Sequence, residues 1–190
     1  MVRDRKTHLR VIGGRYRRRH LRSLPGEQTR PMLDRMRETL FNVLQGQIEG
    51  RAFADLYAGT GAVGIEALSR GARRVTFVES NPAAVDVIRA NLSTVGALDG
   101  ARIVFSPVAS AVRSLEADVV FLGPPYRAVD EYENTLTVLG ELGAPLVIAQ
   151  HDRAHPLPDR YGLLERFRTI EMGRNALSFY RRQETGGPEP

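Results

Sequence analysis

Short apolar runs alternate with amphipathic segments along most of the chain. The apolar runs have the length of buried strands, and the segments between them carry apolar residues at helical spacing. The predicted strands are 53–57, 74–78, 102–105, 119–122 and 146–149, and the predicted helices are 63–69, 82–92, a short piece near 110, and 132–142. Strands that alternate with helices form a mostly parallel sheet covered on both faces. We therefore predict an α/β fold.

Both ends of the chain depart from this alternation. Residues 164–170 and 176–180 resemble two strands joined by a glycine-containing turn, which predicts an antiparallel hairpin at one edge of the sheet. Residues 31–45 have an apolar residue at every fourth position and Pro31 in the first turn, which predicts an amphipathic helix. Residues 9–21 predict a small β-hairpin around Gly13 and Gly14.

These patterns predict three parts: a basic extension over residues 1–28, a main domain over 29–183, and a disordered tail over 184–190. The chain of 190 residues is long enough to bury a core without disulfides or metal. It contains no cysteine, which excludes thiolate metal sites, cysteine nucleophiles and disulfides. Histidines stand singly, without metal-ligand spacing, at positions 8, 20, 151 and 155. Apolar runs are too short for a membrane span, so we expect a soluble cytoplasmic protein with no membrane partner.

The positive charge is concentrated at the start of the chain. The first 40 residues carry 12 basic and 4 acidic side chains, whereas the remaining 150 carry 15 basic and 18 acidic ones. Arginines beside an aromatic residue on a hairpin predict a surface that binds phosphates. The candidates are Arg10, Arg15, Arg17, Arg18, Arg19 and Arg22. Arg30, Arg35 and Arg37 either join this surface or pack inward, and the alternative for the whole segment is a solvated arm without a ligand.

A glycine loop, Gly59-x-Gly61-x-x-Gly64, follows the first strand of the predicted sheet. Such loops bind ligands at the carboxyl edge of a parallel sheet, although the glycines alone also fit a dinucleotide site or a simple packing turn. Asp55 closes the strand before the loop, and Glu79 closes the next strand. Glu79 is suited to accept both ribose hydroxyls of an adenosine, and Asp55 to accept a hydrogen bond from an amine. S-adenosylmethionine has an ammonium and a ribose but no phosphate, so we predict it as the cofactor.

The stretch Gly123-Pro124-Pro125-Tyr126 follows the fourth strand and should emerge beside the glycine loop. Two prolines remove two backbone donors, which leaves carbonyl oxygens as the main-chain groups that can bond a ligand. A rigid acceptor next to the ring of Tyr126 is suited to hold a flipped-out base. The alternative is a proline-rich turn that merely ends a strand.

With these residues the sequence resembles the amino-methyltransferases that use an (Asp/Asn)-Pro-Pro-(Tyr/Phe) motif, and most of all the bacterial RsmD-type enzymes. The resemblance extends from Leu9 to about Arg181. It rests on the Arg10–Gly14 opening, the Thr29–Asn42 helix and the Asp55–Ala72 cofactor signature. It implies a Rossmann-like, seven-stranded class I fold and methylation of the N2 amine of a guanine in 16S ribosomal RNA. The implied partner is that RNA or the small ribosomal subunit, and we expect a monomer.

The resemblance also implies roles for individual residues. Asp55, Gly59, Gly61 and Glu79 would bind the cofactor, with Tyr57 supporting the pocket. Pro124 and Tyr126 would hold the base, and the six candidate arginines would bind RNA phosphates. The sequence departs from the family pattern in three places. Met32 replaces a threonine, and Ser106-Pro107 replaces a polar residue that binds adenine.

Gly123 is the most consequential departure, because the family carries Asp or Asn there. That side chain would accept a hydrogen bond from the target amine. Its absence predicts weakened or lost catalysis, with the Pro124 carbonyl as the remaining acceptor. Three alternatives therefore stay open: an RNA-binding protein that keeps the cofactor pocket without catalysis, a DNA adenine-N6 methyltransferase, and an NAD-dependent oxidoreductase. The short segment before the core argues against the second, and the acidic Asp55 against the third.

Overall fold

One eight-stranded sheet organises the part of the chain that the structure describes. The computed structural model describes residues 9–24 and 34–183, so the predicted start of the first helix and the predicted tail lie outside the described residues. In chain order the strands are β1 Ala52–Leu56, β2 Arg74–Glu79, β3 Ala101–Phe105, β4 Val119–Leu122, β5 Leu146–Asp152, β6 Arg160–Tyr161, β7 Leu164–Met172 and β8 Asn175–Arg182. The sheet order is β3-β2-β1-β4-β5-β8-β7-β6. The first five strands pair in parallel and the last three in antiparallel fashion.

Helices cover both faces of the sheet. They are α1 Asp34–Val43, α2 Ala62–Ser69, α3 Pro82–Val95, α4 Val108–Ala111, which continues into a 3₁₀ turn, and α5 Val129–Leu142. Helices α1, α2 and α3 share one hydrophobic core with residues 9–21, and α4 and α5 form the other. Local signals define the ends of α3: Asn81 accepts a hydrogen bond from the Ala83 amide at 2.9 Å, and Gly96 ends the helix with φ 74°. No helix among the described residues is long and apolar enough to cross a membrane.

The α/β prediction, including the parallel centre and the antiparallel hairpin at one side, is confirmed. Seven strands match the expected number, and β6 is an additional edge strand of two residues, too short to produce a periodic pattern. The predicted helices and strands are mostly extended by a few residues at their ends. The ends of helices and strands are the positions that local sequence patterns define least well.

The predicted N-terminal hairpin is wrong in detail. Residues 9–21 fold back on themselves, but they form a single antiparallel bridge between Arg10 and His20 around a wide turn. The reason is that neighbouring backbone donors bind α2 instead of a partner strand. The amides of Ile12 and Gly13 donate to the Glu66 carboxylate, and the Arg15 amide donates to the Ser69 carbonyl at 2.7 Å. We call residues 9–24 the basic arm.

Candidate active site

The switch in strand order lies between β1 and β4, at the centre of the sheet. Leu56 at the end of β1 is in register with Val78 of β2 and with Leu122 of β4. The residues that follow these strand ends are therefore neighbours at one edge. They are the glycine loop after β1, Glu79 at the end of β2, and the Gly123–Tyr126 stretch after β4. Ligands of open α/β sheets bind at such a switch point.

The glycine loop turns sharply between β1 and α2. Tyr57 has φ 60°, Gly59 φ 55° and Gly61 φ 74°, so three residues within five adopt left-handed backbone conformations. Gly64 lies inside α2 against β2, where an added Cβ would come within 2.3 Å of the Phe77 ring. The first two glycines thus permit the turn, and Gly64 permits the close approach of helix and sheet.

Asp55 lies behind this loop, with 1% of its surface exposed. Its carboxylate accepts a hydrogen bond from the Gly64 amide at 2.8 Å, which joins the end of β1 to the first turn of α2. Burial raises the pKa of Asp55 to about 8, the Gly64 hydrogen bond opposes the rise, and nearby Glu79 adds to it. The sequence suggested a carboxylate facing an amine ligand, whereas in the structure this carboxylate binds the loop backbone.

Glu79 lies at the mouth of the loop and is half-buried. One carboxylate oxygen accepts from the Gly59 amide at 2.8 Å, and the other accepts from the amides of Ser80 and Asn81 at 2.8 Å each. Three backbone donors therefore hold the carboxylate in one orientation. Across the sheet its register partner is Phe105, whose side chain is 62% exposed. A carboxylate and an aromatic face thus stand side by side at this edge.

These donors and acceptors fit S-adenosylmethionine. The Glu79 carboxylate at the mouth of the loop suits the ribose hydroxyls, and the polar groups of the loop backbone suit the ammonium group. Among residues 9–24 and 34–183 there is no cluster of three or more side chains that could hold a metal ion.

Tyr57 connects the glycine loop to α5. Its hydroxyl donates to the Glu131 carboxylate at 2.6 Å and lies 2.9 Å from the Thr135 hydroxyl. Burial, followed by the hydrogen bond with Glu131, raises the pKa of Tyr57. The side chain therefore remains a neutral donor at neutral pH and holds the loop against the helix that follows the Pro-Pro stretch.

Gly123 occupies a position that has room for a side chain. Its φ lies outside the left-handed region, so its backbone suits any residue. An added Cβ would lie 3.5 Å from the Phe121 ring and 3.8 Å from Cβ of Gln150, both ordinary contacts. Neither backbone conformation nor packing requires glycine here.

The Pro124 carbonyl, expected to be a free acceptor, is already engaged. The Tyr132 hydroxyl of α5 lies 2.9 Å from this buried carbonyl and 2.9 Å from the Gln150 carbonyl. Burial raises the pKa of Tyr132, so the hydroxyl keeps its proton and shares it between the two oxygens. The rigid Pro-Pro segment is thereby joined to β5, and its carbonyl faces the protein.

The Tyr126 ring is half-buried, whereas Pro125 is exposed. The Tyr126 hydroxyl donates to the Asn175 side chain at the start of β8 and accepts from the Gln150 side-chain amide at 3.2 Å. Sequence reasoning missed Gln150, Asn175 and Tyr132, three polar side chains that surround the motif. The sequence signal for Gln150 is its position as the first polar residue after the apolar run Leu146–Ala149 of β5.

The six candidate arginines of the basic arm are all exposed. Arg10 forms an ion pair with Asp34 at 3.5 Å, and the Arg15 guanidinium lies 5.6 Å from the centre of the Tyr16 ring. Arg35 is exposed, and Arg30 lies outside the described residues. The fold of the arm brings five of the candidates, Arg10, Arg15, Arg17, Arg18 and Arg19, onto the turn closed by the bridge between Arg10 and His20.

Arg37 packs inward and is fully buried. It donates to the Arg10 carbonyl at 2.6 Å and pairs with Asp34 at 3.0 Å, and burial lowers its pKa. The open question of whether Arg37 joins the phosphate-binding surface is therefore answered: this guanidinium supports the backbone of the arm from below.

The basic arm and the glycine loop are held by the same two helices. Glu66 of α2 is buried and accepts from the Ile12 and Gly13 amides at 2.8 Å each. Asn91 of α3 is also buried, and its side chain bonds both backbone groups of Arg22, at 2.7 and 3.1 Å. The same Asn91 amide donates to the Thr60 carbonyl of the glycine loop at 2.9 Å. One side chain thus contacts both the arm and the loop.

Comparisons with known proteins agree with this geometry. The family model described as "Conserved hypothetical protein 95" matches residues 9–181. Ribosomal RNA small subunit methyltransferase D of Escherichia coli strain K12 is 34% identical, over 94% of this chain and 92% of its own length. "Putative rRNA methyltransferase YlbH" of Bacillus subtilis is 32% identical, over 92% of this chain and 100% of its own. The solved structure "Putative methyltransferase yhhF from Escherichia coli" superposes with a TM-score of 0.81 at 34% identity, covering 93% of this chain and 98% of that one.

Proposed function

This chain belongs to the family described as Conserved hypothetical protein 95, and we propose that it is an S-adenosylmethionine-dependent methyltransferase that modifies the N2 amine of a guanine in 16S ribosomal RNA. The observation that carries the proposal is the placement of Gly123–Tyr126 beside the glycine loop. This stretch follows β4, the strand that pairs with β1. The Escherichia coli relative is named as a methyltransferase of small-subunit ribosomal RNA, which supports the substrate class. The choice of the guanine N2 amine as the target rests on the resemblance to RsmD-type enzymes.

The cofactor site is assigned to the edge formed by β1, β2 and β3. When bound there, S-adenosylmethionine supplies a methyl group on a positively charged sulfur. Glu79, oriented by three backbone donors, accepts hydrogen bonds from the ribose hydroxyls. Phe105 offers its exposed face to the adenine, next to Ser106-Pro107, which provides no family-type polar side chain for that base.

The glycine loop forms the floor of this cofactor site. Asp55 acts from behind by holding Gly64 and the start of α2. Gly59 and Gly61 have no side chains, so the ligand can lie directly against the loop backbone. The Gly59 amide bonds Glu79 and the Gly61 amide bonds the Ala58 carbonyl at 2.7 Å, which keeps the loop in one shape.

The target base is assigned to the edge formed by Gly123–Tyr126. A guanine amine is conjugated with its ring and gains positive charge as its nitrogen attacks. A fixed acceptor at that nitrogen stabilises the charge, and its loss typically costs about 3–4 kcal/mol, or roughly 10²–10³ in rate. Gly123 carries no such acceptor, and the Pro124 carbonyl is bound to Tyr132. We therefore expect this chain to bind cofactor and RNA but to transfer methyl more slowly than a chain with Asp at position 123.

The basic arm is assigned to RNA phosphates. Arg15, Arg17, Arg18, Arg19 and Arg22 are exposed, and none of them forms an ion pair with a carboxylate of the described residues. Such guanidinium groups release counterions from a nucleic acid when they bind it. We propose 16S ribosomal RNA or the small ribosomal subunit as the partner, a monomeric enzyme, and the cytoplasm as its location.

A second candidate function is RNA binding without catalysis, and Gly123 is the observation that favours it. An NAD-dependent activity has less support, because it leaves the Gly123–Tyr126 edge and the arginines of the basic arm without a role.

The identity of the methylated nucleoside distinguishes these functions. Small ribosomal subunits that lack the modification are incubated with labelled S-adenosylmethionine and either the native chain or the Gly123→Asp variant, and the nucleosides are identified by mass spectrometry. N2-methylguanosine formed by the native chain supports the proposal, whereas its formation by Gly123→Asp alone means that the site is built for this reaction but that the native chain binds RNA without catalysis. Methyladenine formed on duplex DNA would assign the other substrate. If neither protein transfers methyl although both bind the subunit, the non-catalytic function replaces the proposal.

A further inference from the structure

Gly123 has a polar neighbour at the carboxyl edge, Gln150 of β5. Leu122 is in register with Ala149, so Gly123 lies opposite Gln150 on the adjacent strand. A Cβ at Gly123 would lie 3.8 Å from Cβ of Gln150, so side chains at the two positions would leave the sheet side by side. The Gln150 side chain therefore begins next to the place from which an Asp or Asn at position 123 would project.

The carboxamide of Gln150 is oriented by Tyr126. Its nitrogen donates to the Tyr126 hydroxyl at 3.2 Å, and that hydroxyl in turn donates to Asn175. The carboxamide must therefore point from the side of Gly123 toward the tyrosine of the motif. No donor from residues 9–24 or 34–183 bonds the carboxamide oxygen, which remains as an acceptor at this edge. Gln150 as a whole is half-buried.

We propose that the Gln150 side-chain oxygen accepts the hydrogen bond from the target amine that Asp or Asn at position 123 would otherwise accept. The proposal rests on the function proposed above and adds a residue to that same site. An amide oxygen is the same kind of acceptor that an Asn at position 123 would provide. It reaches the site from the neighbouring strand, because β4 and β5 end at the same edge.

The role is orientation and charge stabilisation, not proton abstraction. The amine nitrogen forms a bond to the methyl carbon as the carbon–sulfur bond breaks, and the electron pair of that bond stays with sulfur. The nitrogen then carries an extra proton and a positive charge. A neutral amide is too weakly basic to take that proton, which leaves to water, but its oxygen stabilises the developing charge before the proton is lost.

Four proteins test the assignment through their rates of methyl transfer to small subunits: the native chain, Gln150→Ala, Gly123→Asp and the double variant. In the native background Gln150→Ala should lower the rate by about tenfold or more, the usual effect of losing one hydrogen bond to a developing charge. In the Gly123→Asp background the same change should cost less than about threefold, because the introduced carboxylate then supplies the acceptor. An equal loss in both backgrounds, or no loss in the native one, overturns the proposal.

The design separates this proposal from the proposed function. If Gly123→Asp transfers methyl but Gln150→Ala changes nothing in the native chain, the function stands and the role of Gln150 is wrong. Gln150→Glu keeps an acceptor oxygen and should retain more activity than Gln150→Ala. Gln183→Ala, which changes an exposed glutamine that follows β8 and is bound to Glu165, is the matched control and should leave the rate unchanged.

A binding measurement provides a second readout that needs no methyl transfer. After the methylated guanine has been mapped in the Gly123→Asp product, a synthetic RNA hairpin is made with that guanine or with hypoxanthine, which lacks the 2-amino group. The native chain should bind the guanine hairpin several-fold more tightly, and Gln150→Ala should bind both equally. Equal binding by the native chain, or an unchanged preference in Gln150→Ala, contradicts the proposal.

Discussion

The side-chain amide of Asn91 donates a hydrogen bond to the Thr60 carbonyl at 2.9 Å, and the same side chain bonds both backbone groups of Arg22. A single buried residue of α3 thus connects the loop assigned to the cofactor with the arm assigned to RNA. The donors and the acceptor of the Asn91 side chain all have partners only when the arm and the loop both pack against α3. Loss of the amide removes the side-chain partner of the Arg22 backbone groups and of the Thr60 carbonyl.

Asn91→Ala should therefore destabilise the protein by about 1–3 kcal/mol, because three hydrogen bonds are lost and each contributes roughly 0.5–1.5 kcal/mol. It should also weaken S-adenosylmethionine binding by roughly tenfold, or about 1.4 kcal/mol, because Thr60 loses its anchor. Calorimetric titration and urea unfolding measure the two effects. The exposed Asn134 provides the matched control, since Asn134→Ala should alter neither quantity. Unchanged cofactor affinity in a folded Asn91→Ala protein would refute the anchoring role.

The Glu79 carboxylate supports a second prediction. Glu79→Gln removes the charge and places an amide donor where the carboxylate now accepts from Gly59 or from Ser80 and Asn81. We expect at least about a tenfold loss of S-adenosylmethionine affinity from the missing acceptor and the displaced loop. Glu116→Gln, at a carboxylate that is 87% exposed, should not change the affinity. A Glu79→Gln protein that binds the cofactor normally would remove Glu79 from the site.

Because the pKa of Asp55 is raised in the folded protein, we expect the stability of the protein to depend on pH. Its pKa is about 8 in the folded protein and 3.8 when unperturbed, so between these values the folded state binds more protons than the unfolded state. The contribution of Asp55 to stability is therefore complete below about pH 4 and is lost as the pH rises toward 8, by up to roughly 1.4 kcal/mol per pH unit.

Urea unfolding at about pH 5.5, 6.5 and 7.5 compares the native chain with Asp55→Asn, which cannot titrate. The free energy of unfolding of the native chain should fall more steeply with rising pH than that of the variant. Other titrating groups, such as His151, are common to both proteins and cancel in the comparison. Equal slopes would mean that the carboxyl group of Asp55 is ionised in the folded protein throughout this range.

If the basic arm binds RNA phosphates, removing its arginines should change the salt dependence of RNA binding. Replacing Arg15, Arg17 and Arg19 by Ala removes three exposed charges and leaves Arg18, whose φ is 69°, in place. The slope of log affinity against log salt should decrease by about 2–3 if each arginine contacts one phosphate. The control is a triple Ala variant of Arg74, Arg89 and Arg113, which pair with Glu116, Asp86 and Glu141. Equal slopes for the two triple variants would contradict a specific role of the arm.

Much of this architecture was predictable because it depends on local patterns. The alternation of apolar runs with helical spacing defined the parallel centre of the sheet, and the ends of β1, β2 and β4 located the glycine loop, Glu79 and the Pro-Pro stretch at one edge. Parallel strands all end on the same side, so chain position alone brings these residues together.

The remaining features depend on contacts between distant parts of the chain. Asp55 was predicted to face a ligand, and the sequence left open whether Arg37 joins the basic surface or packs inward; both are buried beneath backbone that they support. The Pro124 carbonyl is engaged because α5 packs Tyr132 against it, eight residues later in the chain. Gln150 and Asn175 come from strands β5 and β8, and only the strand order brings them to Tyr126. No local period carries that information.

Gly123 lacks the side-chain acceptor that would stabilise the target amine during methyl transfer. The most direct measurement is the rate of methyl transfer from S-adenosylmethionine to small ribosomal subunits by the native chain and by Gly123→Asp, whose new side chain has room beside Phe121 and Gln150. The variant should be at least about tenfold faster, approaching roughly 10²–10³ to the extent that Gln150 does not compensate. Rates within about threefold of each other would contradict the account, because the native site would then need no side chain at position 123.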